Sequence, residues 1–180
     1  MGFPNLKNKY SEDSMINPDE FMKYKKRIGE YPKFKAPEGA ILCYSNSLME
    51  YIIKNHKVNR VEGFKAEVYL LDETRNKVAV IGKFGIGSPA VVQLVEVLIA
   101  YGIKRFISIG IAGALQKHFK IGDVVVCEKA IRDEGVSHHY LKPSKYSYAS
   151  KEMVKKITKS LEKFNQQYSI GTSWTIDAPY

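Results

Sequence analysis

The chain has 180 residues, with 28 Lys and Arg against 19 Asp and Glu and an apolar content of 44%. That apolar fraction, spread along the whole length, excludes an intrinsically disordered chain, and no apolar run approaches the ~20 residues needed to span a bilayer. The first residues, Met1 to Lys7, lack the apolar core of roughly 7–15 residues that a secretory signal requires, so a cytoplasmic chain is the expectation.

The formal charge of +9 raises the question of nucleic acid. The lysines gather at Lys23, Lys25 and Lys26 beside Arg27, at Lys54 and Lys57, and along Lys151, Lys155, Lys156, Lys159 and Lys163. A nucleic-acid stripe needs stacking aromatics or an Arg-rich element among the charges, whereas these lie on ordinary helical faces. The charge reads as a solvated surface, with neither nucleic acid nor membrane as a partner. Cys43 and Cys127 each sit in an apolar run and read as small buried core residues, without metal-ligand spacing.

In chain order, residues 1–37 are polar, rich in Lys and Tyr, and broken by Pro4, Pro18, Pro32 and Pro37. They read as an extended N-terminal arm with one short helix from Asp19 to Lys26, capped by Asn17 with Pro18 in its first turn. Residues 40–44 predict a strand, and Leu48 to Lys54 an amphipathic helix. Ala66 to Leu71 and Lys77 to Phe84 predict two strands of a hairpin. Ser88 then caps, and Gly102 ends, a helix that is apolar nearly all round and therefore expected to be buried on most of its surface, Glu96 included as a structural residue.

Arg105 to Ile109 and Asp123 to Ile131 predict two further strands, with a Gly-rich turn, Gly110 to Gly113, after the first. Asp133 to Ser147 reads as a polar loop. Ser150 opens a helix striped by Met153, Ile157, Leu161 and Phe164, and Tyr168 to Trp174 predict the last strand. Strands alternating with helices in this order predict an α/β fold with a mixed central sheet. In such sheets ligands bind at the carboxyl ends of the strands, which here carry Ser45-Asn46-Ser47, Gly85 to Pro89 and Gly110 to Gly113.

These segments, taken together and in order, resemble the nucleoside phosphorylase superfamily, on the uridine phosphorylase side. The resemblance rests on G-x-G-x-P at Gly85 to Pro89, I-G-x-A-G at Ile109 to Gly113, G-D-V-V at Gly122 to Val125, A-I-R-D-E-G-x-S-x-H-Y at Ala130 to Tyr140 and D-A-P-Y at Asp177 to Tyr180. It covers residues 38–180, taken as one phosphorylase-like domain after the arm. It implies a three-layer α/β/α fold, homo-oligomers (trimers or hexamers), and cleavage of the N-glycosidic bond of a purine or pyrimidine nucleoside. Inorganic phosphate would be the co-substrate, and no cofactor or metal is expected. Hydrolysis by the nucleosidase branch, and a non-catalytic nucleoside-binding member, are the alternatives.

The resemblance also implies the site. Ile111, Ala112 and Gly113 fall on the turn that meets base and ribose, although a purely steric glycine turn is an equal reading. His139, Tyr140, Trp174 and Tyr180 fall near the base, Trp174 either stacking on it or, as is commoner, filling core. Phosphate falls to Ser45, Asn46, Ser47 and Ser108. At two of these places the sequence departs from the family pattern: the G-D-P-x-R type loop is Tyr44-Ser45-Asn46-Ser47, and R-x-G-[ST] is Ser108-Ile109-Gly110-Ile111. Two arginines are missing, each expected to supply charge-assisted hydrogen bonds worth ~1.5–3 kcal/mol. Arg60 or Arg75 of a neighbouring subunit are the available substitutes. His138 and His139 beside Asp133 and Glu134 do not make a metal site, since adjacent histidines diverge and no third ligand follows at helical spacing. Asp177 is expected to order its own loop. The catalytic residues are expected beyond Tyr180, which makes the chain, on this reading, a C-terminally shortened member.

Overall fold

A computed structural model describes residues 10–178. They form two compact units, Asp13–Ala112 and Gly113 onward, the latter joined by residues 10–12.

In the N-terminal unit, α1 (Pro18–Arg27) is capped by Asn17, whose side chain accepts from the Glu20 N–H at 2.9 Å, as the sequence predicts. The strands are β1 (Gly39–Cys43), β2 (Val58–Val61), β3 (Glu67–Leu71), β4 (Val78–Gly82) and β5 (Arg105–Ile109), with α2 (Asn46–Asn55) after β1 and α3 (Ser88–Tyr101) after β4. They make one mixed sheet in the order β2-β3-β4-β1-β5. β1 runs parallel to β4 and β5, and β3 is antiparallel to both its neighbours. β2 was not anticipated: Val58-Asn59-Arg60-Val61 is a short edge strand whose two central residues face solvent, so it carries no apolar run.

Strand alternation builds two cores. Ala40, Leu42, Val68, Leu70, Ala79 and Ile81 point to the face covered by Leu94 and Leu98 of α3. Cys43, Tyr69 and Val80 point to the opposite face, where Met49 of α2 covers them. This is the three-layer α/β/α arrangement. Gly82 belongs to the second packing, since a Cβ there would stand 2.8 Å from Met49 Cγ. α1 packs on α3, and Tyr31, Phe34, Phe64 and Tyr101 make an aromatic cluster in which the Tyr101 hydroxyl donates to the Phe34 carbonyl. Two expectations change at α3. Its N-cap is Gly87 (φ 91°) rather than Ser88, because the Gly85-Ile86-Gly87 turn delivers the chain one residue earlier. Its burial is one-sided, with Leu94, Leu98 and Tyr101 buried while Ile99 is exposed and Glu96 only partly covered.

The C-terminal unit contains β6 (Val125–Asp133), α4 (Ser137–Tyr140), β7 (Tyr146–Tyr148), α5 (Lys151–Lys163) and β8 (Ser169–Ile176). Its sheet has the order β7-β6-β8, with β6 parallel to β8 and antiparallel to β7. Among the described residues the strands thus lie in two hydrogen-bonded sheets, of five and three strands. β6 starts two residues later than expected because Lys120 and Asp123 close a turn on each other, the Lys120 N–H donating to Asp123 Oδ2 at 2.8 Å and the Asp123 N–H to the Lys120 carbonyl at 3.1 Å. Glu128 is an extra residue opposite the step from Gly171 to Thr172, a bulge that interrupts alternation. Cys127 beside it is exposed rather than buried, its thiol donating to the Lys129 carbonyl. The polar segment 133–147 holds α4 and the start of β7. Ser150 caps α5 as expected, and Met153, Ile157 and Leu161 are partly covered; Phe164 lies past the last turn and is 76% exposed.

Candidate functional site

Because β1, β4 and β5 run parallel, their carboxyl ends meet at one edge of the N-terminal sheet. There lies a cavity of about 340 Å³ lined by Ser45, Ser47, Leu48, Ile109, Gly110 and Ile111. The sequence reading placed a ligand site on these two loops. Ser45 leaves β1 and caps α2: its Oγ accepts from the Leu48 N–H at 3.3 Å and lies 2.9 Å from Ser47 Oγ, while its carbonyl accepts from the Met49 N–H and from the Cys43 thiol. The Tyr44 N–H donates to the Ile109 carbonyl at 3.0 Å, which ties the loop after β1 to the end of β5.

The lining holds two hydroxyls, backbone and aliphatic side chains, and no charged group. Of the residues assigned to phosphate, Ser45 and Ser47 line this cavity; Asn46 and Ser108 are exposed and stand outside the lining. Of those assigned to base and ribose, Ile111 lines it and Ala112 follows in an exposed turn. Arg60 lies on the edge strand β2 and Arg75 in the turn before β4, both exposed. At the neighbouring strand end, Lys83, Gly85 and Gly87 all have positive φ (53°, 98° and 91°), so the loop into α3 is tightly specified. Beside it Lys83 Nζ lies 3.0 Å from Glu67 Oε1, and that hydrogen bond holds the Glu67 carboxyl below the usual range.

Gly113, His139, Tyr140 and Trp174 belong to the C-terminal unit, and Tyr180 lies outside the described residues. Gly113, His139 and Tyr140 are exposed, and Trp174 is 48% exposed, so it does not fill a core. Its indole N–H donates to Asp133 Oδ2 at 2.9 Å, which fixes the ring's orientation at the end of β8. Asp177 orders its surroundings as expected, accepting from the Gly135 N–H at 2.7 Å. Among the described residues no three His, Cys, Asp or Glu side chains gather to hold a metal ion.

Two residues went unassigned in the sequence. Arg132, 7% exposed, donates from Nε to Ser137 Oγ (3.0 Å), from one terminal nitrogen to the Lys142 carbonyl and Ser144 Oγ (2.7 and 2.8 Å), and from the other to the Ser137 and Leu141 carbonyls (2.8 and 3.1 Å). One planar fork thereby holds the segment that carries His138, His139 and Tyr140. The only signal available was an arginine amid the apolar pattern of β6. The second is Tyr44, half-exposed directly after β1.

The sequence profile described as the phosphorylase superfamily matches residues 38–180. The uridine phosphorylase of Thermococcus kodakarensis is 32% identical over 96 residues, 53% of this chain and 35% of that protein. That of Haemophilus influenzae is 40% identical over 62 residues, 34% of this chain and 25% of that protein. The matches thus span well under half the length of these curated relatives. Among solved structures, uridine phosphorylase from Vibrio fischeri superposes with a TM-score of 0.72 at 28% identity, covering 81% of this chain and 62% of that one. An AMP nucleosidase from Bacteroides thetaiotaomicron shares the fold, with a TM-score of 0.75 at 21% identity over 91% of this chain and 67% of that one. On the profile match, this chain belongs to the phosphorylase superfamily.

Proposed function

We propose that the chain acts in cleavage of the N-glycosidic bond of a nucleoside, with residues 38–180 as its phosphorylase-like domain. The observation that carries this reading is the cavity at the shared carboxyl ends of β1 and β5, whose two loops both fall within the residues that the family profile matches. Breaking that bond leaves positive charge developing at the anomeric carbon while the base departs with negative charge. The site must therefore hold the sugar in place and neutralise the leaving base. Ser45 and Ser47 present hydroxyls suited to a sugar or an oxyanion, and Ile111 an apolar wall. The pentosyl acceptor in this reading is inorganic phosphate, in keeping with the names of the relatives, and no cofactor takes part. Assembly into a homo-oligomer belongs to the same reading.

One observation favours water as acceptor instead. Phosphate is ordinarily held by arginine or lysine through charge-assisted hydrogen bonds, and the cavity lining carries no charged group. Incubation of the purified chain with uridine, inosine and adenosine, with and without phosphate, tests both. Ribose 1-phosphate formed only with phosphate establishes phosphorolysis, and free ribose formed regardless of phosphate establishes hydrolysis. Absence of both turnover and nucleoside binding would sink the proposal. Sedimentation velocity on the same preparation reads the assembly state.

A further inference from the structure

Tyr44 precedes Ser45 in the chain and packs against Gly110, two residues that line the cavity, in a position to which the family motifs give no role. It is the first residue after β1, and its ring is held on two sides. The edge of Phe84 meets it with centroids 5.1 Å apart at 85°, and Gly110, which also lines the cavity, approaches it so closely that a Cβ there would stand 3.4 Å from Tyr44 Cβ. Its backbone N–H is already bonded to the Ile109 carbonyl and cannot turn to an anion. Yet half of the residue, 50%, remains exposed. An aromatic ring fixed by its neighbours but left open, beside a lining that holds two neutral hydroxyls and no charged group, is the equipment for a flat, uncharged ligand rather than for an oxyanion.

We propose that Tyr44 is the selectivity residue of this site, its ring contacting the uncharged face of the nucleoside and keeping inorganic phosphate from the adjoining space. The inference rests on the nucleoside reading above and deepens its second form, in which water rather than phosphate is the acceptor. The hydroxyls of Ser45 and Ser47 then serve sugar hydroxyls.

Isothermal titration of the full chain with uridine, with inosine and with inorganic phosphate tests it, read as the ratio of nucleoside to phosphate affinity. Replacing Tyr44→Gly is expected to weaken nucleoside binding about tenfold, the size of a lost stacking platform, and to tighten phosphate about threefold or more. Tyr44→Phe keeps the wild-type ratio, because the ring and not its hydroxyl is at work. Tyr44→Leu keeps bulk without a flat aromatic face, so it loses nucleoside affinity while still excluding phosphate; it also serves if the glycine variant does not fold. A ratio unchanged in both Tyr44→Gly and Tyr44→Leu overturns the inference and leaves the nucleoside reading standing. Phosphate that tightens on Tyr44→Gly in a protein that binds no nucleoside supports the exclusion by Tyr44 and overturns the nucleoside reading instead.

Discussion

Along β4 of the N-terminal unit, Ala79, Val80 and Ile81 follow one another with 1% or less of their surface exposed, whereas no residue of β8 in the C-terminal unit is buried. Both are strands rich in β-branched residues, and both pair in parallel with a neighbour. The difference lies in what covers their faces. β4 sits between α2 and α3 and contributes to both cores. In the C-terminal unit the buried residues among those described are Val126 and Arg132 alone, one apolar and one charged. The first unit is therefore held by apolar burial on two faces. The second relies much more on hydrogen bonds, those of its ladder and those of a single guanidinium.

The largest effect that separates the two is expected from truncation of equivalent apolar side chains. Leu98, wholly buried under the sheet, loses about 3 kcal/mol of stability as Leu98→Ala, since both burial and a filled cavity disappear. Ile157→Ala, on the partly covered stripe of α5, costs about 1 kcal/mol or less. Urea denaturation of each variant reads the two values. Equal losses would show that the C-terminal unit has an apolar core as firm as its neighbour's.

Next in size is Arg132. In Arg132→Met three carbonyls and two hydroxyls lose their donor, at a cost of about 2 kcal/mol. The loss is local, so it is expected as faster proteolysis between residues 134 and 145 and as a shift in the emission of Trp174, the single tryptophan, whose indole is held by the adjacent Asp133. Arg132→Lys keeps the charge but not the fork and recovers little. Unchanged cleavage and emission in Arg132→Met would remove the guanidinium from its role as anchor.

The same contrast explains what the amino-acid sequence disclosed. Elements whose order is encoded locally were readable: the Asn17-Pro18 start of α1, the left-handed Gly102 that ends α3, the apolar runs of β1, β3 and β4, and the strand-end loops that line the cavity. What escaped depends on partners elsewhere in the fold. β2 is a strand because β3 offers it an edge, not because Val58-Asn59-Arg60-Val61 repeats an apolar pattern. Cys127 turns outward because of a bulge that only its pairing with β8 defines. Arg132 bonds chiefly to backbone carbonyls, which every residue possesses, so its targets leave no mark on composition. Tyr44 gains its setting from Phe84 and Gly110, which are 40 and 66 positions away along the chain.

Helix caps give a smaller contrast. Asn17→Ala removes a 2.9 Å bond at the start of α1 and is expected to cost about 1 kcal/mol. Ser150→Ala removes a longer bond, 3.4 Å, from α5, and is expected to cost about half as much. Thermal unfolding of the pair measures it, and a larger loss at Ser150 would show that α5 carries more of its unit's stability than its exposure suggests.

The smallest effect is nil at neutral pH and emerges only in alkali. Burial pushes the Tyr101 phenol up to about 12 from an ordinary 10.0, with the neighbouring Tyr31 adding to the rise. Below pH 10 the hydroxyl is protonated in folded and unfolded chains alike, and its hydrogen bond to the Phe34 carbonyl is fully present. Between pH 10 and 12 the unfolded chain releases the proton and the folded one retains it, so stability falls as pH rises through that window. In the C-terminal unit the Tyr168 phenol is also raised, by its hydrogen bond to the Glu162 carboxylate, but it stands in a solvated position where ionisation disturbs no core. Urea midpoints measured from pH 8 to 12 are therefore expected to fall more steeply above pH 10 in the wild type than in Tyr101→Phe, whereas Tyr168→Phe, which removes a smaller rise, changes the slope less. A slope that followed Tyr168 instead would place the alkali-sensitive packing in the unit whose strands are open to water.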